Sequence, residues 1–395
     1  MPPAPGIRGH CDPRFAGVRA AFADNCERRD EIGAAVAVVV DGELVVDLWA
    51  GHADLARTRP WGRDTIANVY SCTKGMVAIC AHRLIEEGRL DLDAPVADYW
   101  PEFAQAGKEQ LKVRWLLSHR AGLAAVQQVL PGAALYDWNA MCAALAAQEP
   151  WWTPGTAHGY HALTFGWLVG ELVRRITGRS LGTYFREEVA GPLGLDFHIG
   201  LPEAEHHRVA ELSMLPPPAP DDDDIQLGVM IMSDPEGLPA RAFLNPPSVG
   251  LGVNNAAWRT AEIPGGNGHA NARALARIYG VLARGGDENG FHLLDAASIE
   301  RCRTEQSVGP DLVLQLSTRF GLGFMLSRDG PDGRPDARFG PSRGAFGHPG
   351  AGGSVGFADP ETRVGFGYAL NRLGPRILLD PRATTLIDAV YGSLR

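Results

Sequence analysis

Ser71 and Lys74 stand three residues apart in Asn68-Val69-Tyr70-Ser71-Cys72-Thr73-Lys74-Gly75, at the head of a segment whose apolar residues Met76, Ile79, Cys80 and Leu84 recur at helical spacing. A serine hydroxyl is a poor nucleophile at neutral pH and attacks a carbonyl only when a neighbouring group takes its proton. At positions i and i+3 both side chains lie on one face of a helix. The helix start adds unpaired N–H groups and positive potential, which suits a developing oxyanion. For Lys74 to accept the proton it must be neutral near pH 7, which burial and a positive dipole both favour. A desolvated lysine is therefore expected. The competing reading of Ser-x-x-Lys alone is an N-cap serine with a solvated lysine.

The elements that would hold this pair can be read from either side of it. Ala34 to Val40 and Glu43 to Trp49 are β-branched runs joined by Asp41-Gly42, a hairpin with a type I′ turn. The helix from Ser71 ends at Gly88, and further helices are expected over 113–118, 138–147, 163–177, 271–284 and 382–394. Strands are expected over 322–326, 354–358 and 363–371, the last two paired around Asp359-Pro360-Glu361-Thr362. Strands near both ends with helices between them imply one sheet assembled from distant segments, an α/β arrangement. The proline run after Leu215 and the four aspartates ending at Asp224 read as a stiff, hydrated surface excursion, favoured over a calcium site.

Composition limits the partners. The 395 residues carry a formal net charge of −9, with 45% hydrophobic and 21% charged residues, as in ordinary globular enzymes. No basic cluster offsets that charge, so nucleic acid is excluded as an expected partner. Six cysteines are scattered without metal-ligand spacing, which suggests reduced thiols and no zinc. The N-terminal residues lack the apolar core of a secretory signal, and no apolar run reaches the ~18 to 20 residues needed to span a bilayer. No membrane association is expected, and the cytoplasm is the expected location.

The Ser71 segment is followed by Glu87-Gly88-Arg89-Leu90-Asp91-Leu92-Asp93-Ala94-Pro95-Val96, by Leu116-Leu117-Ser118-His119-Arg120-Ala121-Gly122-Leu123, by Pro154-Gly155-Thr156 with Tyr160 four residues on, and by His348-Pro349-Gly350-Ala351-Gly352-Gly353. This ordered series resembles the serine β-lactamase-like superfamily of penicillin-binding-protein ancestry, and is most similar to the family VIII carboxylesterases. The resemblance covers most of the chain. It implies an antiparallel sheet flanked by helices, formed by residues 1–80 and 200–395, a mainly helical domain over residues 81–199, and an active site between them.

It also implies roles for residues that spacing alone does not single out. Tyr160 matches the tyrosine that faces the Ser-Lys pair and passes the proton to the leaving group. A shift of Tyr160 toward phenolate is expected, giving a general base and acid couple with Lys74. The Ala351 N–H matches the second oxyanion donor, beside that of Ser71. Two departures bear on the substrate. Tyr160-His161-Ala162 has alanine where an asparagine would bind a lactam side chain, and His348-Pro349-Gly350 replaces the Lys-Thr-Gly that would hold a carboxylate. Both favour an uncharged ester.

Trp152, Tyr136, Trp258 and His348 are candidates for the substrate pocket wall, as is Gly350, because aromatic rings offer apolar area with a polar tip. Gly265-Gly266-Asn267-Gly268-His269-Ala270-Asn271 is expected to cap a helix or contact substrate. Gly340-Pro341-Ser342-Arg343-Gly344 and Gly352-Gly353-Ser354-Val355-Gly356 imitate a nucleophile elbow but lack its strand-to-helix setting. The expectation is a cofactor-free carboxylesterase acting on small short-chain acyl esters through an acyl-enzyme on Ser71. The alternatives are a β-lactamase or D-amino-acid peptidase, an acyltransferase, and a catalytically silent scaffold.

Overall fold

In the computed structural model, residues 6–214, 227–247, 252–328 and 339–394 are described. The aspartate-rich segment after Leu215 lies outside them. Nine strands form one antiparallel sheet: β1 (Arg8–Cys11), β2 (Gly33–Val40), β3 (Glu43–Gly51), β4 (Ser307–Pro310), β5 (Ser317–Phe320), β6 (Met325–Leu326), β7 (Phe346–Pro349), β8 (Val355–Asp359) and β9 (Val364–Leu370). Their order across the sheet is β1-β3-β2-β9-β8-β7-β6-β5-β4, so the two ends of the chain meet where β2 pairs with β9.

The hairpin forms as expected. Val40 pairs with Glu43, and Asp41 and Gly42 both take positive φ, 51° and 89°, which matches the twist of the flanking strands. The expected strand over 322–326 shrinks to Met325–Leu326. Gly323 at φ +89° turns the preceding residues away, and its N–H donates to Leu117 O at 2.8 Å rather than to a strand.

Period-two alternation gives β9 two different faces. Gly365 and Gly367 face a helix so closely that a Cβ on Gly365 would stand 2.2 Å from the Gly280 nitrogen. That helix, α4 (Ala272–Ala283), is capped by Asn271, whose Oδ1 accepts from Ala274 N–H at 2.9 Å. On the other face Tyr368 points toward α1 (Ala16–Arg28) and α5 (Pro381–Ser393), which pack on one another.

Between the sheet and a mainly helical part runs α2 (Thr73–Glu86), buried from Thr73 through His82 and again at Leu84. It packs on α3 (Thr164–Thr177) on one side and touches β7 on the other. Gly88, at φ +70°, follows its end as the sequence implied. A helix apolar on most of its circumference belongs at such a junction. Among the described residues no helix is long and apolar enough to cross a membrane. All six cysteines are free, four of them buried.

Candidate active site

Ser71 sits in a single 3-10 turn, Tyr70–Cys72, that leads into α2. Tyr70 before it takes φ +44°, a left-handed conformation that a bulky residue rarely adopts and that marks a held turn. The turn is fixed from several sides. Val69 N–H donates to Gly268 O at 2.8 Å, Thr73 Oγ1 donates to Tyr70 O at 2.5 Å, and Gly268 N–H donates to that same Thr73 oxygen at 2.8 Å.

One helical turn on, Lys74 is 0% exposed. Its Nζ donates to Ala162 O and Gly265 O, both at 2.6 Å, and lies 3.1 Å from Ser71 Oγ. Carbonyls only accept, so two ammonia-type hydrogens are committed to them. In the neutral amine the remaining valence is a lone pair on the Ser71 side. Burial drives the Lys74 pKa well below its usual value, toward that neutral form. The desolvated lysine is found, whereas the solvated alternative is not.

Tyr160 completes the group. Its ring stacks on Phe320 at 6.2 Å, lies 5.1 Å from His119, and has Lys74 Nζ 4.7 Å from its centroid. Its N–H donates to Asp311 Oδ1 at 3.0 Å, and the same oxygen accepts from the amides of Val313 and Leu314. The hydroxyl reaches the Ser71 side chain, a contact that favours ionisation, but burial outweighs it and pushes the Tyr160 pKa up. The expected drift toward phenolate is therefore corrected. Burial lowers the pKa of both nitrogenous neighbours, Lys74 and His348, so neither favours a phenolate and Tyr160 is held toward the phenol.

His348 supplies the second neutral neighbour. Its Nδ1–H donates to Pro349 O at 2.7 Å, which leaves Nε2 as a bare acceptor 3.5 Å from the Tyr160 hydroxyl. Burial, with Lys74 nearby, pulls its pKa down to about 3. Behind Tyr160, His161 Nδ1–H donates to Gly159 O at 2.8 Å and its Nε2 accepts from Leu123 N–H at 3.2 Å, while His161 N–H donates to His119 Nδ1 at 3.1 Å. These imidazoles are wedges of fixed tautomer rather than charges.

The end of β7 is seated against the nucleophile turn. Cys72 Sγ donates to His348 O at 3.2 Å, and a Cβ on Gly350 would stand 2.3 Å from Val69 O, so only glycine allows this approach. Ala351 follows directly, and its N–H donates to no backbone carbonyl among the described residues. The Ser71 amide lies in a first helical turn, where amides have no intrahelical acceptor.

The structure thus brings Ser71, Lys74, Tyr160, His348 and Gly350 together, with Ala351 beside them. The ring and hydrogen-bond contacts of Trp152 and Trp258 are with residues outside that group. Trp152 packs edge-on to His161 at 6.1 Å with its Nε1–H on Ala157 O. Tyr136 is 39% exposed, in the turn Gly132–Tyr136. Trp258 is 2% exposed, with Nε1–H toward Asn68 Oδ1. Ser342 donates to Asp359 Oδ2 at 2.6 Å, an oxygen it shares with the Thr362 and Tyr391 hydroxyls, which suits a structural role for its elbow-like sequence.

The chain matches the family described as Beta-lactamase over residues 18–389. It is 40% identical over 384 residues to the esterase/beta-lactamase LipL of Mycobacterium tuberculosis, a match covering 95% of this chain and 85% of that protein. Two solved structures superpose with a TM-score of 0.89 over 98% of this chain and 100% of theirs. One is a family VIII carboxylesterase, 43% identical, and the other a penicillin-binding protein homologue from Caulobacter crescentus, 44% identical.

Proposed function

Since the chain belongs to the Beta-lactamase family and is a serine hydrolase, we propose that it is a carboxylesterase that cleaves short-chain acyl esters through a covalent intermediate on Ser71. The observation that carries this reading is Lys74, buried with no carboxylate partner among the described residues and with its Nζ 3.1 Å from Ser71 Oγ. Ser71 Oγ attacks the ester carbonyl and its proton passes to Lys74, while the amides of Ser71 and Ala351 receive the oxyanion. As the C–O bond breaks, Tyr160 gives its proton to the departing alcohol and regains one from Lys74. Water then enters along the same proton route in reverse and frees the acid.

An uncharged substrate is supported by the neutral His348 beside Tyr160. A substrate carboxylate placed there would meet no fixed positive charge, which weighs against a lactam or peptide. LipL carries both esterase and beta-lactamase in its name, so the two activities are measured together. Purified protein is assayed with p-nitrophenyl butyrate and with nitrocefin, and the acyl adduct is located by intact mass. Faster lactam than ester turnover, or an adduct that survives Ser71→Ala, refutes the proposal.

We also propose that residues 1–80 and 200–395 form the sheet domain and 81–199 the helical one. Six unpaired thiols suit a reducing compartment, and the cytoplasm is the location we propose.

A further inference from the structure

The turn that carries Ala351 rests on a buried ion cluster that takes no part in the chemistry above. Arg382, 4% exposed, begins α5. Its Nη1 donates to Glu31 Oε1 at 3.0 Å, its Nε and Nη2 grip the two oxygens of Asp380 at 2.8 and 3.0 Å, and Nη2 also reaches Gly352 O at 3.3 Å. The second oxygen of Glu31 accepts from the Tyr368 hydroxyl. A cluster of one guanidinium and two carboxylates is a poor device for stability alone, since well-packed apolar residues would serve as well. It does give direction to whatever else it touches.

That direction can be followed through two peptide planes. Gly352 O is held by Arg382 Nη2 and by Gly374 N–H at 2.9 Å. Across the same trans peptide, the N–H of Gly353 points the opposite way and donates to Gly350 O at 3.1 Å. Across the next plane, opposite Gly350 O, lies the N–H of Ala351. Among the described residues every group in the series except that last N–H has a partner. Each link also polarises the next, which strengthens the terminal donor.

We propose that Arg382 is a positioning residue for ester turnover, fixing the direction of the Ala351 N–H through the Gly352–Gly353 and Gly350–Ala351 peptide planes. The proposal rests on the reading of Ala351 N–H as an oxyanion donor. Arg382→Lys keeps the charge but loses the fork that grips Asp380 and Gly352 together.

The test measures kcat and KM with p-nitrophenyl butyrate for the full chain, with active sites counted by fluorophosphonate labelling so that misfolded protein is not scored. Arg382→Lys is expected to lower kcat per active site about 10- to 100-fold, part of the roughly 10²- to 10³-fold that loss of an oxyanion donor costs, with KM little changed. Tyr368→Phe loosens the far side of the cluster without touching Gly352 and is expected to lower stability while leaving kcat per active site unchanged. If Arg382→Lys leaves kcat per active site within about twofold of the parent, or if both variants lose kcat only in step with stability, the proposal is overturned. Should Arg382→Lys not fold, Glu31→Gln, which leaves the guanidinium in place with a weaker grip, is read by the same ratio. Ala351→Pro, which lacks the N–H, separates the two levels. Full activity there removes the oxyanion reading itself, whereas a loss there with none in Arg382→Lys removes only the role of Arg382.

Discussion

Replacing Lys74 by methionine, similar in length and without charge, tests whether the resting lysine is neutral. Two effects oppose one another. The variant leaves Ala162 O and Gly265 O unpaired inside the protein, at ~1–3 kcal/mol each. It also removes the cost of keeping a lysine unprotonated when folded. Because burial lowers the native pKa, the unfolded chain binds one more proton than the native chain between that lowered value and the unfolded value of about 10.4. Native stability conferred by Lys74 therefore rises with pH across this window, by about 1.4 kcal/mol per unit.

The difference in unfolding free energy between parent and Lys74→Met, measured by urea titration at several pH values from about 7 to about 10, should grow in the parent's favour by up to roughly 4 kcal/mol. In the same series the parent's kcat/KM should rise with pH through the lowered lysine pKa, and the variant should be slower by ~10²- to 10⁴-fold. A stability difference that stays flat across this range would mean that native Lys74 keeps its proton at neutrality. It could not then be the base at rest, and the argument from its two carbonyl partners would fail.

Tyr160→Phe preserves the stack on Phe320 and the face turned to Lys74, so the protein should fold with a thermal midpoint near that of the parent while the rate falls ~10²- to 10⁴-fold; stopped-flow assay of ester cleavage reads this, and an undiminished rate assigns the proton transfer elsewhere. Gly350→Ala sets a Cβ 2.3 Å from Val69 O, which must push β7 away from the nucleophile turn. A stability loss of about 1–3 kcal/mol is expected, together with a fall in kcat larger than the fall in active-site concentration. Equal falls in the two would show that Gly350 serves folding alone.

Much of this was legible in the residues. The Asp41-Gly42 turn, the Asn271 cap with Gly285 after its helix, and the Ser71 segment carry local signals that tertiary packing did not override. What was not legible arises from groups without a residue signature or from distant contacts. The carbonyls that engage Lys74 belong to Ala162 and Gly265, and every residue has a carbonyl. Tyr160 stays a phenol because Phe320 and His119, from remote segments, close over it. Asp311 gave no hint that it anchors the Tyr160 amide.

The position of β9 in the middle of the sheet also has a bearing on how the protein is made. Residues 364–370 separate β2 from β8, so the hairpin, made more than 300 residues earlier, cannot join the strands beside the nucleophile until β9 has been made. The ribosome releases Ser71 and Lys74 early, as an apolar helix without its walls. Aggregation is the hazard of that interval, and hydrolytic competence should arrive abruptly, once β9 is available, rather than growing with the nascent chain.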